Sequence, residues 1–203
     1  MAKVTRSAAR PLRWTDHGSR VRGKKLLAAS NGPHHWTAVQ GLAKGERADV
    51  AVEALTELGA DEIIAWQAER SVSRWDGKVA RGIAKWSATA RESTKQSRRF
   101  TVPRIRFAST DIIEVLHDHD MILVAHQDAV KTLAGLELPK SGRIAVVVGL
   151  EGGISLVEIE RFIDAGAHII RLGNGVLRTS SAGMVALAQL KLLAAQQIGE
   201  PSS

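Results

Sequence analysis

Two short segments of the 203-residue chain hold residue types suited to gripping a small molecule: Gly149-Leu150-Glu151-Gly152-Gly153 and Leu172-Gly173-Asn174-Gly175-Val176-Leu177-Arg178-Thr179. Glycine lets a backbone approach a ligand closely and permits positive φ. Arg178, followed by Thr179, Ser180 and Ser181, puts a fixed cation and three hydroxyls at an expected helix start, where unsatisfied N–H groups favour an anion. Taken singly, each segment reads equally well as a tight turn or as an ordinary cap with a surface arginine. Neither has the G-x-G-x-x-G or G-x-x-x-x-G-K spacing of a nucleotide-phosphate loop, which argues against a nicotinamide enzyme or a phosphate-loop nucleotidase.

The elements around these segments give them a common position. Arg143 to Val148 is nearly continuously apolar and predicts a parallel strand covered on both faces. Ser155-Leu156-Val157-Glu158 matches a capping box and opens a helix running to about Ala165, with Gly166 as its stop. His168 to Leu172 predicts the next strand, and Ser180 to about Gln197 a long helix. Upstream, a strand is expected around Trp36 to Leu42. A helix follows through Val50, Ala51, Ala54, Leu55 and Leu58, ended by Gly59. Ile63 to Trp66 predicts a buried strand, Val79 to Gln96 a helix and Met121 to Ala125 a strand. Residues 109–117 predict a short helix capped by Ser109 or Thr110. Alternating strands and helices imply an α/β domain with a mostly parallel sheet. Ligands bind such sheets beyond the carboxyl ends of the strands, where both glycine segments fall.

Composition narrows the partners. A chain that is 44% hydrophobic can bury one sizeable core, and the absence of Cys excludes disulfides and cysteine-ligated zinc. No apolar run reaches the roughly 20 residues of a membrane-spanning helix. The net charge of +7 favours a polyanion, nucleic acid first, over a merely soluble basic protein. The cations cluster. Lys3, Arg6, Arg10, Arg13, Arg20, Arg22, Lys24 and Lys25 precede residue 27, and Arg91, Lys95, Arg98, Arg99, Arg104 and Arg106 form a second group. Both could neutralise phosphates or simply face water.

The order strand, G-x-E-G-G, capped helix, strand, L-G-x-x-x-L-R-T, helix resembles the RsmE-like family of 16S ribosomal RNA uracil-N3 methyltransferases, in the SPOUT superfamily. Upstream blocks extend the resemblance over about residues 37–195: Lys44-Gly45-Glu46-Arg47 with Thr56-Glu57-Leu58-Gly59, Glu69-Arg70-Ser71 with Trp75-Asp76, and Gln96-Ser97-Arg98. The resemblance implies S-adenosylmethionine as cofactor and a trefoil-knotted α/β domain over residues 36–203. It further implies a homodimer and an RNA partner in the small ribosomal subunit. Gly149, Gly152, Gly153, Leu172, Gly173, Leu177, Thr179 and Ser181 would hold the cofactor. Lys44, Arg47, Arg70, Arg98 and Arg99 would contact RNA, and no metal is expected. Residues 1–35 would be the truncated remnant of an N-terminal PUA-like RNA-binding barrel, with Asp16 to Gly23 as its tail. The chain departs from the pattern at Leu150 and Asn174, where the family usually has Pro, and at Ser181 and Gly183, where Thr and Ala are typical.

The implied function is methylation of a uridine N3 in 16S ribosomal RNA, in the cytoplasm. A related knotted methyltransferase on another RNA and a catalytically silent RNA-binding protein are the alternatives. Deprotonated uracil is anionic, so Arg178 would stabilise it or hold a phosphate. Glu151 is the nearest carboxylate for proton traffic, or else a helix cap or cofactor ligand. Among the remaining polar motifs, His117-Asp118-His119-Asp120 reads as a solvated loop and His34-His35 as a turn. His126-Gln127-Asp128 reads as a strand end that could reach a pocket. Trp66, Trp75 and Trp86 are expected to pack internally rather than stack on bases.

Overall fold

The computed structural model describes residues 32–43, 45–150 and 152–199. The expectations for Asp16 to Gly23, for the basic cluster before residue 27, and for Lys44 and Glu151 lie outside the described residues.

β1 (His34–Gly41) leads to α1 (Glu46–Glu57), β2 (Glu62–Trp66), α2 (Val79–Gln96), β3 (Arg104–Ala108) and the short α3 (Ile112–Val115). β4 (Met121–Ala125), β5 (Gly142–Val148), α4 (Leu156–Asp164), β6 (His168–Ile170) and α5 (Thr179–Ile198) follow. The six strands form one parallel sheet in the order β3-β2-β1-β5-β4-β6. The expected α/β class with a mostly parallel sheet is therefore the fold the chain adopts.

The period-2 geometry of β5 explains its unbroken apolar run. Ile144 and Val146 enter the core on one face with Leu55, Trp86, Leu187 and Leu190. Ala145 and Val147 enter the core on the other with Trp66, Leu116 and Phe162. Each fully buried Val, Leu or Ile contributes about 1.5–3 kcal/mol, so the central strand anchors both layers. Trp66 and Trp86 are fully buried, and Trp75 stacks on Phe107 at 5.8 Å, which is packing rather than base recognition.

Helix ends follow their local chemistry. Ser155 and Glu158 form the reciprocal capping box that the sequence predicts at the start of α4. Gly59, left-handed at φ 86, ends α1, and the Arg99 guanidinium lies over its Cα where any side chain would stand. Lys191 Nζ donates to the carbonyls of Leu58 and Gly59 at 2.8 and 3.1 Å, completing that terminus.

One strand goes unpredicted: Arg104–Ala108, which overlaps the basic group from Arg91 to Arg106, is the edge strand β3. Three local expectations are corrected. His34-His35 is no turn but the start of β1. His34 is buried and its Nε2 lies 2.6 Å from the Pro139 carbonyl. The helix expected over 109–117 shrinks to four residues, because Asp111 bonds back to the Ser109 N–H at 2.8 Å and neither Ser109 nor Thr110 caps it. The segment 117–120 is not simply solvated. The His119 side chain is fully buried, with Nε2 2.8 Å from Thr37 Oγ1, and Asp120 accepts from the Arg143 N–H at 2.7 Å.

Candidate cofactor site at the carboxyl edge of the sheet

A cavity of about 570 Å³ opens where β4, β5 and β6 end. Small-molecule sites typically measure roughly 300–1,000 Å³. Most of its wall comes from Ala125 to Asp128 after β4, from Val148 to Leu150 and Gly152 to Ile154 after β5, and from Arg171 to Gly173 and Gly175 to Thr179 after β6. Arg70, from the loop after β2, closes one side.

The first loop is held by sterics and by its cap. A Cβ on Gly149 would stand 2.6 Å from Ile154 Cγ1, so any other residue in this turn would displace the Ile154 side chain. Glu158 accepts from the Ser155 N–H at 2.9 Å and, with its other oxygen, from the Glu69 N–H at 2.8 Å. One carboxylate thus ties the start of α4 to the loop carrying Arg70. Gln67 fixes the far end of that loop, accepting from the Trp75 N–H at 2.7 Å and donating to Asp76 at 2.8 Å.

The second loop hangs from β6 and α5. Arg171 N–H donates to the Lys131 carbonyl at 2.7 Å, and Gln189 donates to the Leu172 carbonyl at 3.1 Å. Gly173 and Gly175 differ from Gly149. Like Gly149 neither is left-handed, but a Cβ on either would meet nothing within 4 Å. Nothing in the described protein itself demands glycine there. Arg178 is the N-cap of α5 and is exposed, and no side chain caps this helix start. Arg171 Nε is buried in the cavity wall without a hydrogen-bond partner among the described residues. Among the described residues, Arg70, Arg171 and Arg178 make no ion pair.

The sequence pattern of the RNA methyltransferase domain family matches residues 30–191. The chain belongs to that family. It is 40% identical over 164 residues to ribosomal RNA small subunit methyltransferase E of Mycobacterium tuberculosis, covering 77% of this chain and 63% of that one. It is 32% identical over 189 residues to the protein of the same name from Bacillus subtilis, covering 88% and 70%. Its fold matches the crystal structure of ribosomal RNA small subunit methyltransferase E from Neisseria gonorrhoeae bound to S-adenosyl methionine. The TM-score there is 0.72 at 27% identity, over 82% of this chain and 69% of that one. The chain thus spans under two thirds of the mycobacterial relative it matches.

In this methyltransferase domain, Gly149, Gly152, Gly153, Leu172, Gly173, Leu177, Arg178 and Thr179 all line one cavity. Ser181 does not line it; its N–H donates to the Arg178 carbonyl inside the first turn of α5. Arg70, expected at RNA, lines the cavity too. Arg47 and Arg98 are exposed and do not line it, and Arg98 is left-handed at φ 55. Arg99 is half-buried against Gly59, a packing position. His126, Gln127 and Asp128 reach the cavity wall. Sequence reasoning missed Arg171. Its only signal was a charged residue directly after a buried strand and before Leu172-Gly173.

Proposed function

We propose that this chain methylates N3 of a uridine in 16S ribosomal RNA, using S-adenosylmethionine bound in the cavity at the carboxyl edge of the sheet. The observation that carries this is the meeting of both glycine-bearing loops on one cavity ringed by three arginines without ion-pair partners among the described residues. The residues fit the cofactor. Gly173 and Gly175 leave open the space a Cβ would fill, and Arg171 Nε is an orphaned donor in the wall. Gly149, Gly152, Gly153, Leu172, Gly173, Leu177 and Thr179 would contact it, with Ser181 supporting the helix start from behind.

S-adenosylmethionine supplies an electrophilic methyl group on a sulfonium. The protein must hold the base in line and accommodate the loss of the N3 proton, and positioning supplies much of such a rate. Arg178, exposed at the cavity rim, stabilises the anionic uracil that results. Arg70, held by the Glu69–Glu158 link, faces the same cavity and orients the RNA, with Lys44, Arg47, Arg98 and Arg99 as the wider basic surface. Glu151 is the candidate proton acceptor.

The finer architecture is part of the same proposal. Residues 36–203 form a SPOUT-type trefoil-knotted domain that works as a homodimer, and residues 1–35 belong to a PUA-like RNA-binding unit. The site of action is the cytoplasm. Among the described residues no helix is long and apolar enough to cross a membrane. Calorimetry with S-adenosylmethionine tests the cofactor reading. Saturable binding that weakens on Arg171→Ala is expected, and a well-folded sample that binds nothing would leave a silent RNA-binding protein. Mapping methylated nucleotides in a deletion strain tests the target.

A further inference from the structure

We infer that Gln40 and Gly41, which belong to neither glycine-bearing loop, form the positioning element that sets the spacing between them. This deepens the proposed cofactor site and rests on that reading. Gln40 is 1% exposed at the end of β1. Its Nε2 donates to the Thr179 carbonyl at 3.2 Å and to the Gly41 carbonyl at 3.4 Å. Both partners are acceptors, so the amide can be oriented only with its NH2 toward them. Oε1 then faces α5 and has no hydrogen-bond partner among the described residues.

A Cβ on Gly183 would stand 2.6 Å from that Oε1. The glycine at 183, costly in a helix interior by up to about 1 kcal/mol relative to Ala, is what lets α5 lie close enough for Gln40 to reach Thr179. The next residue does the same for the other loop. A Cβ on Gly41 would meet Leu150 Cδ2 at 2.9 Å and the Gly149 carbonyl carbon at 3.1 Å. One dipeptide therefore touches both walls of the cavity, Gln40 through the first turn of α5 beside Arg178, and Gly41 through Gly149-Leu150. A buried glutamine that leaves its acceptor unmatched carries a desolvation cost, which an apolar residue at the end of β1 would avoid. The geometry points to loop spacing as what that cost secures.

The test uses the full chain with three variants. Gln40→Met keeps the bulk and removes the donor. Gly183→Ala keeps Gln40 and forces it aside. Thr56→Val, which deletes another buried hydrogen bond (Thr56 Oγ1 to the Val52 carbonyl, 2.7 Å), is the control for stability alone. Two quantities are read: the S-adenosylmethionine dissociation constant by calorimetry, and amide hydrogen exchange over residues 179–183. Gln40→Met and Gly183→Ala should each raise the dissociation constant and speed that exchange by about tenfold, the equivalent of one buried hydrogen bond. Thr56→Val should lower the melting temperature and move neither. Wild-type affinity and exchange in Gln40→Met, or changes no larger than those of Thr56→Val, overturn the inference. If Gln40→Met fails to fold, Gly183→Ala decides by the same two readouts. If the wild-type protein does not bind S-adenosylmethionine, the cofactor reading falls and the exchange measurement alone decides whether Gln40 anchors α5.

Discussion

The two ends of the sheet treat positive charge in opposite ways. At the amino edge, Glu62 is 2% exposed, with Arg143 at 3.2 Å, Arg106 at 3.5 Å and Arg104 at 4.0 Å. A carboxylate removed from water requires cations, and the fold supplies them from β3 and β5. At the carboxyl edge, Arg70, Arg171 and Arg178 surround a cavity, and among the described residues none has an ionic partner. A guanidinium that the protein pairs is committed to the fold. One held beside a cavity without a partner is available to a ligand. Residue type alone does not separate these roles; the neighbouring carboxylate does.

The comparison breaks first, and most visibly, at Arg178. Arg178→Ala should lower the rate of methyl transfer by about 100-fold or more, the effect of deleting one group that stabilises developing charge. Affinity for S-adenosylmethionine should change little. Single-turnover kinetics on small ribosomal subunits measures the first and calorimetry the second. Near-wild-type turnover would remove Arg178 from the chemistry.

At the other edge the effect should fall on stability. Glu62→Gln takes the carboxylate from Arg106 and leaves Arg143 only Asp118, at 3.4 Å; both arginine side chains are 32% exposed. That partial exposure to water discounts the cost of a broken buried pair to about 2 kcal/mol. Urea unfolding should show the loss, with cofactor affinity intact. A change in affinity without a change in stability would mean the two edges are not separate. Ser155→Ala sits between the extremes. Losing the capping box should cost about 1 kcal/mol and loosen Arg70 through the Glu158–Glu69 link, which the urea midpoint and cofactor affinity would both register.

The smallest effect is in pH. Burial, and then the Arg143 charge, hold the His119 imidazole below its ordinary value of 6.5. Between the lowered folded value and 6.5 the unfolded chain binds a proton that the native protein does not. His119 therefore lends stability above about pH 6.5 that is lost as pH falls, levelling off below the folded value. Melting temperatures between pH 7.5 and 5 should fall, and His119→Gln should flatten that limb. An unchanged slope in the variant would show that His119 is not the group responsible.

Much of the fold was legible because strong local signals agreed with tertiary need. The apolar run of β5, the Ser155–Glu158 box and the span Val79–Gln96 all appear where the pattern predicts them. Both glycine segments lie on one cavity, although each looked like a turn when read alone. What was not legible depends on distant partners. β3 reads as Arg-Ile-Arg-Phe-Ala, a basic stretch, until Glu62 on the neighbouring strand is seen to attract its arginines. His119 looks like a loop residue until Thr37, far away in sequence, takes its ring. Gln40 carries no spacing signal, and Gly183 reads only as a departure from the usual Ala, whereas in the fold the two lie face to face. Arg171 stands just before the glycine motif and outside it, and the cavity is what links the two.

The central claim is that the carboxyl-edge cavity carries methyl transfer to uracil N3. It is tested most directly by incubating the full chain with labelled S-adenosylmethionine and small ribosomal subunits from a strain deleted for its gene, then mapping the label by mass spectrometry. One labelled uridine methylated at N3, lost in Arg178→Ala, is the predicted result. Label on another atom or another RNA would contradict the assignment, and no transfer by a folded protein that binds cofactor would contradict the enzymatic claim itself.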